Sequence, residues 1–301
     1  MDIGVLNCTT SRRGTGVAGC LAMLNNIKNF ILTEKGWKVD VTTDLDQEAI
    51  DGFIQSGAWI VLPEHQSIES ASEETVYETT DSGYMIYVRD GLAQFLAQYA
   101  KGVCFHKALH SNSLGNYDLL MIDMDNEGEG RLWGEETPDG FFKGFDLSLA
   151  NAETFSFPTG TTSSKTPFRV QLSAKGTKAL NTRINFAKAD GVDLASLDGV
   201  REATLLPVSA TDGDLVIDVV GACDRTTPIT GLDAGDFRVT NATTGAVVAL
   251  VGVTANGNRY SLDVGAGTFN VQLYDAAENS NIIVQGSTYY SSNVLNALVS
   301  A

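Results

Sequence analysis

The 301-residue sequence is long enough for two ordinary domains, each able to bury a core of its own. With 43% hydrophobic and 19% charged residues it has the composition of a folded, soluble protein, and apolar runs such as Ala58 to Leu62 are far too short to cross a bilayer. The net charge of −17 opposes tight nucleic-acid binding, which depends on Lys and Arg neutralising phosphates, so membrane insertion and a DNA-binding role are not expected.

In chain order, residues 17–35 place Leu21, Leu24, Ile27 and Ile31 on one stripe and stop at Gly36, which predicts a first helix. A second helix is predicted over 45–56 after Asp44, with Leu45, Ala49 and Phe53 facing a core. Trp37–Thr42 and Ala58–Leu62 read as short buried strands. Residues 75–80 and 84–89 flank Asp81-Ser82-Gly83, the signal of a β-hairpin. The acidic stretch before it (Glu69, Glu73, Glu74, Glu78) reads as an exposed arm. A third helix is predicted over 91–101, with Leu92, Phe95, Leu96 and Tyr99 inward and Gly102 as its cap. A meander of strands then follows: Val103–Leu109, Tyr117–Asp123, Phe141–Phe157 and Pro167–Ser173.

Composition shifts near residue 200. The first 200 residues hold 16 of the 20 Lys and Arg and every Met, Trp and His, whereas the last hundred hold no Lys. Short Val- and Ile-rich strands recur there at Leu215–Val220, Phe237–Thr240, Val247–Val253, Tyr260–Val264, Thr268–Tyr274 and Ile282–Gln285, separated by Gly, Asn and Asp turns. The expected organisation is therefore a mainly β (α+β) chain: an antiparallel β-sandwich domain with flanking helices over 1–200, followed by an immunoglobulin-like β-sandwich over 201–301.

Motifs for chemistry do not hold together. Gly14-Thr15-Gly16-Val17-Ala18-Gly19 is a GxGxxG run with Asp40 downstream, but Thr9 to Arg13 separate it from the first strand and βαβ alternation is missing, which argues against dinucleotide binding. A mobile Gly-rich loop carrying Arg12 and Arg13 fits better. Asp123 to Gly128 imitates an EF-hand start, yet position twelve is Gly134 and the run follows a strand, so a tight acidic turn is expected. His106 and His110 are four apart on what reads as a strand, with no HExxH or clustered Cys to support a metal. Glu135 and Glu136 beside Asp139 read as a solvated loop. Cys8, Cys20, Cys104 and Cys223 form no CxxC pair, and buried free thiols are expected. Neither enzyme activity nor a cofactor is expected.

The run "YDLLMIDMDNEGEGRLWGEETPDGFFKGFDLSLANAETFSF", followed by "KTPFRVQLS", resembles the major tail tube proteins of long-tailed phages. The stretch "ITGLDAGDFRVTNATTGAVVALVGVTANGNRYSLDVGAGTFNVQLYD" is similar to bacterial and phage immunoglobulin-like modules. The resemblance implies a virion structural protein: self-association into (hexameric) rings that stack into a tube, contacts with other tail proteins, and double-stranded DNA passing through the lumen without sequence-specific binding. It implies a place in the virion tail, assembled in the host cytoplasm. That compartment also suits the N-terminus, which carries Asp2 and no basic residue before Arg12, unlike a signal peptide. The assembly loops expected on this basis carry Arg12, Arg13, Glu73, Glu74, Asp81 and Gly83. The alternatives are another virion component (capsid decoration, collar or ring protein), or a surface-binding module whose exposed aromatic patch would rest on Tyr289 and Tyr290.

Overall fold

The computed structural model describes Asp2–Ile3, Leu24 and residues 26–300, apart from positions 126, 162 and 251. The fold is mainly β, with several antiparallel sheets and three α-helices among the described residues. It divides into two compact units, one ending at Leu197 and one spanning Asp198–Ala301 together with the short segment Asp51–Gly57.

The first unit begins with β1 (Asp2–Ile3), β2 (Ile27–Glu34), β3 (Lys38–Asp40), the start of α1 (Gln47–Gln55, which from Asp51 belongs to the second unit), β4 (Trp59–Val61) and β5 (Ser67–Ser70). It continues through β6 (Val76–Thr79), β7 (Met85–Arg89), β8 (Gln94–Tyr99) and α2 (Val103–Ser111). It is completed by β9 (Tyr117–Met124), β10 (Gly130–Glu136), β11 (Phe141–Lys143), β12 (Phe145–Ala152), β13 (Thr166–Leu172), α3 (Ala174–Thr182) and β14 (Ile184–Lys188).

Strand β9 is the pivot. One edge pairs antiparallel with β2 from Glu34↔Tyr117 to Ile27↔Asp123. Its other edge is shared: Met121 to Met124 pair with β10, while Asp118 and Leu119 pair with β12. The sheet therefore forks at β9 into one branch through β10, β14 and β1, and another through β12, β13, β8 and β5. Phe30, Leu32, Leu119, Met121, Trp133, Phe145, Phe168 and Leu172 form the core between them. Phe30, Ile31 and Leu32 are consecutive and all fully buried, so both faces of β2 are covered.

Three expectations fail here. Ile27–Glu34 of the expected 17–35 helix is strand β2; residues 17–23 and 25 lie outside the described set. The expected helix over 91–101 contains strand β8, and the expected strand over Val103–Leu109 is helix α2. In β8 the inward-facing Ala97 and Tyr99 satisfy a period of two, whereas β2 is buried on both faces and its apolar run fits either structure; in both, strand pairing decides. Gly102 consequently starts a helix instead of ending one. The helix over 45–56 is present as α1; Leu45, just before it, is buried as expected, but within the helix the buried apolar residues are Ile50 and Ile54, with Ala49 and Phe53 half-buried, and Asp46, not Asp44, accepts the Ala49 amide in the first turn.

The second unit contains β15 (Arg201–Thr211), β16 (Asp214–Gly221), β17 (Phe237–Asn241), β18 (Val247–Val248) and β19 (Val253–Asn256). It ends with β20 (Arg259–Asp263), β21 (Gly267–Leu273), β22 (Ile282–Gln285), β23 (Thr288–Ser292) and β24 (Leu295–Val299). These make a six-stranded sheet in the order β19-β20-β16-β15-β23-β22 and a four-stranded sheet in the order β18-β17-β21-β24. Alternating residues of both sheets, among them Leu205, Ile217, Tyr260, Val239, Val271 and Leu273, fill one core, which is the arrangement of a β-sandwich. β15 and β23 run parallel; the other pairings in this unit are antiparallel.

Candidate assembly interface

The β6–β7 hairpin is the feature of the first unit that its own core does not explain. It is a two-stranded sheet in register at Tyr77↔Tyr87, Glu78↔Ile86 and Thr79↔Met85, with a bulge after Val76. Its turn is closed by Thr80: the Gly83 amide donates to Thr80 O at 2.8 Å, and the Tyr84 amide donates to Thr80 Oγ1 at 3.1 Å. Gly83 has φ of +82°, which any other L residue would adopt only with strain, so Asp81-Ser82-Gly83 makes the turn that its composition implies.

Every residue of β6 and every position from 81 to 90 is exposed. Tyr84 is 74% exposed, Met85 67%, and Tyr77, Ile86, Tyr87 and Val88 each more than half. Cross-strand partners share a face, so Tyr77, Tyr87 and Met85 line one side while Ile86 lies on the other. A lone two-stranded ribbon is marginal in water, and large exposed apolar patches are a general signature of interaction surfaces, which makes this ribbon the candidate interface.

The base of the hairpin is fixed to the body of the unit. The Ala71 and Glu73 amides donate to Gln94 O and Leu92 O at 2.9 and 3.0 Å, and Arg89 pairs with Glu73 at 3.1 Å. Gly91 is indispensable at this crossing, because a Cβ there would stand 1.9 Å from Glu73 O. Of the expected assembly residues, Glu73 and Glu74 thus sit exposed at the foot of the arm, and Asp81 and Gly83 at its tip. Arg12 and Arg13, with the GxGxxG run, lie outside the described residues.

The body carries buried charge that the sequence reading missed. Glu135, expected in a solvated loop, is 2% exposed on β10 and is held by Lys143 and Arg183 at 3.1 and 2.5 Å; Glu136 accepts a hydrogen bond from Asn185. Lys35 bridges Asp118 and Asp146 at 2.8 and 2.5 Å where β9 meets β12, and Asp146 also accepts from Ser173. Burial pushes the Lys35 ammonium down, but its two carboxylate partners outweigh this and its pKa is raised. For Asp146 burial pushes upward, and the hydrogen bonds from Lys35 and Ser173 leave the net pKa lowered. Strand pairing that inserts charged residues between apolar ones would reveal such a site, but Glu135 carries no local signal of burial; Glu136 and Asp139 are exposed, as expected.

The acidic turn is as tight as expected. Asp125 Oδ1 accepts the Glu127 and Glu129 amides at 2.9 Å each, and the carboxylates of Asp125, Glu127 and Glu129 lie within 4.8 Å of one another. Lys188 supplies the opposing charge, at 3.0 Å from Asp125 and 2.6 Å from Glu129. Asp40, the would-be ribose ligand, is exposed and its carboxylate accepts from Thr42 instead.

The cysteines depart from expectation. Cys104 and Cys223 are both disulfide-bonded and both exposed, not buried free thiols; Cys8 and Cys20 lie outside the described residues. Tyr289 is 2% exposed and Tyr290 half-buried, so this pair forms no exposed aromatic patch. Among the described residues no helix is long and apolar enough to cross a membrane. No protein-family model matches the chain, and comparison with curated proteins finds no significant relative.

Proposed function

We propose that the protein is a virion structural subunit of the tail-tube type, which self-associates into rings that stack into a conduit. The observation that carries this reading is the projecting β6–β7 ribbon with apolar side chains exposed on both faces. Full burial of each such side chain against a neighbouring copy contributes about 1.5–3 kcal/mol. That is enough for a handful of side chains to offset the entropy of association. Edge strands of the forked sheet and of the sandwich, such as β5 and β24, would be covered in the same closed assembly.

Two further properties fit. A net charge of −17 suits a wall past which DNA must slide without adhering. Disulfides at Cys104 and Cys223 suit a particle that operates outside a reducing cytosol, and under this reading they close after release from the host cytoplasm. The second unit, as an immunoglobulin-like sandwich, would decorate the tube. Negative-stain microscopy of the purified chain tests the proposal: rings or tubes bearing peripheral knobs support it, and dispersed monomers at high concentration reject it.

A further inference from the structure

Helix α2 changes the relation between two of the three histidines. On a helix His106 and His110 are one turn apart on a common face, where side chains four apart are neighbours. Their ring centroids are 6.1 Å apart with the planes at 51°. Phe155 packs against the His106 ring at 5.3 Å, and Phe157, 75% exposed, packs edge-on against Phe155 at 5.4 Å. His106 is thereby held in place while His110 stays exposed and free to change rotamer. Among the described residues neither imidazole makes a side-chain hydrogen bond or ion pair. His106 Nδ1 is buried without a partner, which leaves Nε2 as its ligand atom. Cys104, on the preceding turn, is disulfide-bonded and supplies no thiolate.

We propose that His106 and His110 form a two-histidine chelate for a late first-row divalent ion, Zn²⁺, Ni²⁺ or Cu²⁺. Neutral imidazole is the ligand these ions favour, whereas Ca²⁺ and Mg²⁺ require oxygen. Two nitrogens sharing one zinc ion, each at about 2.0–2.1 Å, lie no more than about 4.2 Å apart. Rotation of the exposed His110 side chain brings its coordinating nitrogen within that distance of His106 Nε2. Water completes the coordination, so the ion acts as a clip across α2 without forming a closed structural site. His65 is not part of it: its ring packs on Phe30 and Tyr99, and its Nε2 is buried.

The test is a Zn²⁺ titration of the full chain followed by NMR of the histidine ring protons, with Ni²⁺ binding measured in parallel by calorimetry. Expected are one ion per chain, shifts of the His106 and His110 signals but not of His65, and at least tenfold weaker binding in His110→Ala. Because His110 is exposed, that variant keeps the fold. A second variant, Glu127→Gln with Glu129→Gln, should bind as the parent does. Absence of binding, unchanged affinity in His110→Ala, or loss of binding in the Glu127/Glu129 variant would each overturn the proposal.

Discussion

Arg131 and Asp123 stand directly opposite one another on β10 and β9, joined by two hydrogen bonds of 3.0 and 2.6 Å, with the arginine 7% and the carboxylate 0% exposed at the side chain. The guanidinium also lies over the Trp133 and Phe186 rings at 5.2 and 5.4 Å. A fork-to-fork pair in this setting fixes the register of β9 against β10 beside the point where the sheet divides.

Removing one partner should therefore cost far more than removing both. Asp123→Asn or Arg131→Met each breaks the buried pair and is expected to destabilise the first unit by about 3–5 kcal/mol. The double replacement Asp123→Leu with Arg131→Met should recover most of that loss. Urea denaturation of the three variants measures this, and equal losses in all three would show that the pairing itself is not the source.

Lys35 and Asp146 predict pH dependence at both ends of the range. Asp146 has a lowered pKa in the folded state, so its contribution is fully present above its ordinary value of 3.8 and is lost as pH falls through the lower folded value. Lys35 has a raised pKa, so its contribution is fully present below 10.5 and is lost as pH rises through the higher folded value. Lys35→Met should flatten both limbs of the stability–pH curve, whereas Asp146→Asn should flatten mainly the acid limb. Thermal unfolding across pH 2–12, a range of about ten units around these ordinary values, gives the comparison.

His65 adds a milder slope. Burial lowers its pKa below 6.5, so the neutral ring favours the folded state and stability should decline as pH falls from 6.5 toward the folded value. His65→Phe keeps the contact with Phe30 and Tyr99 and should remove that decline, as read by melting temperature between mildly acidic and neutral pH.

How far these features were legible in the sequence depended on whether a local rule determined them. The arm was legible because Asp81-Ser82-Gly83 carries its own turn chemistry, and the second-unit strands because Gly, Asn and Asp punctuate them. Helix α2 was not, since Val103–Leu109 satisfies either period and only packing of Leu109 into the core decides. On a strand His106 and His110 would also share a face but lie about 13 Å apart along it, too far to act together. Glu135 illustrates a different gap: its burial is set by Lys143 and Arg183, partners brought in by β11 and the end of α3.

Gly91→Ala separates the arm from the body. The added Cβ would collide with Glu73 O, so the foot of the hairpin must shift while the core remains intact. The expected result is a melting temperature lowered only slightly and self-association weakened at least tenfold. Retained self-association with an unchanged circular dichroism spectrum would mean that the arm tolerates displacement.

The central claim is that the exposed β6–β7 ribbon drives assembly, and sedimentation velocity of the parent chain against Tyr77→Ser/Met85→Ser/Tyr87→Ser addresses it most directly. Exposed positions of this kind change stability by only about 0.5 kcal/mol or less each, so the variant should stay folded. Concentration-dependent ring-sized or larger species are expected for the parent and monomer for the variant. A parent that sediments as a monomer at every concentration, or a variant that assembles equally well, would contradict the claim.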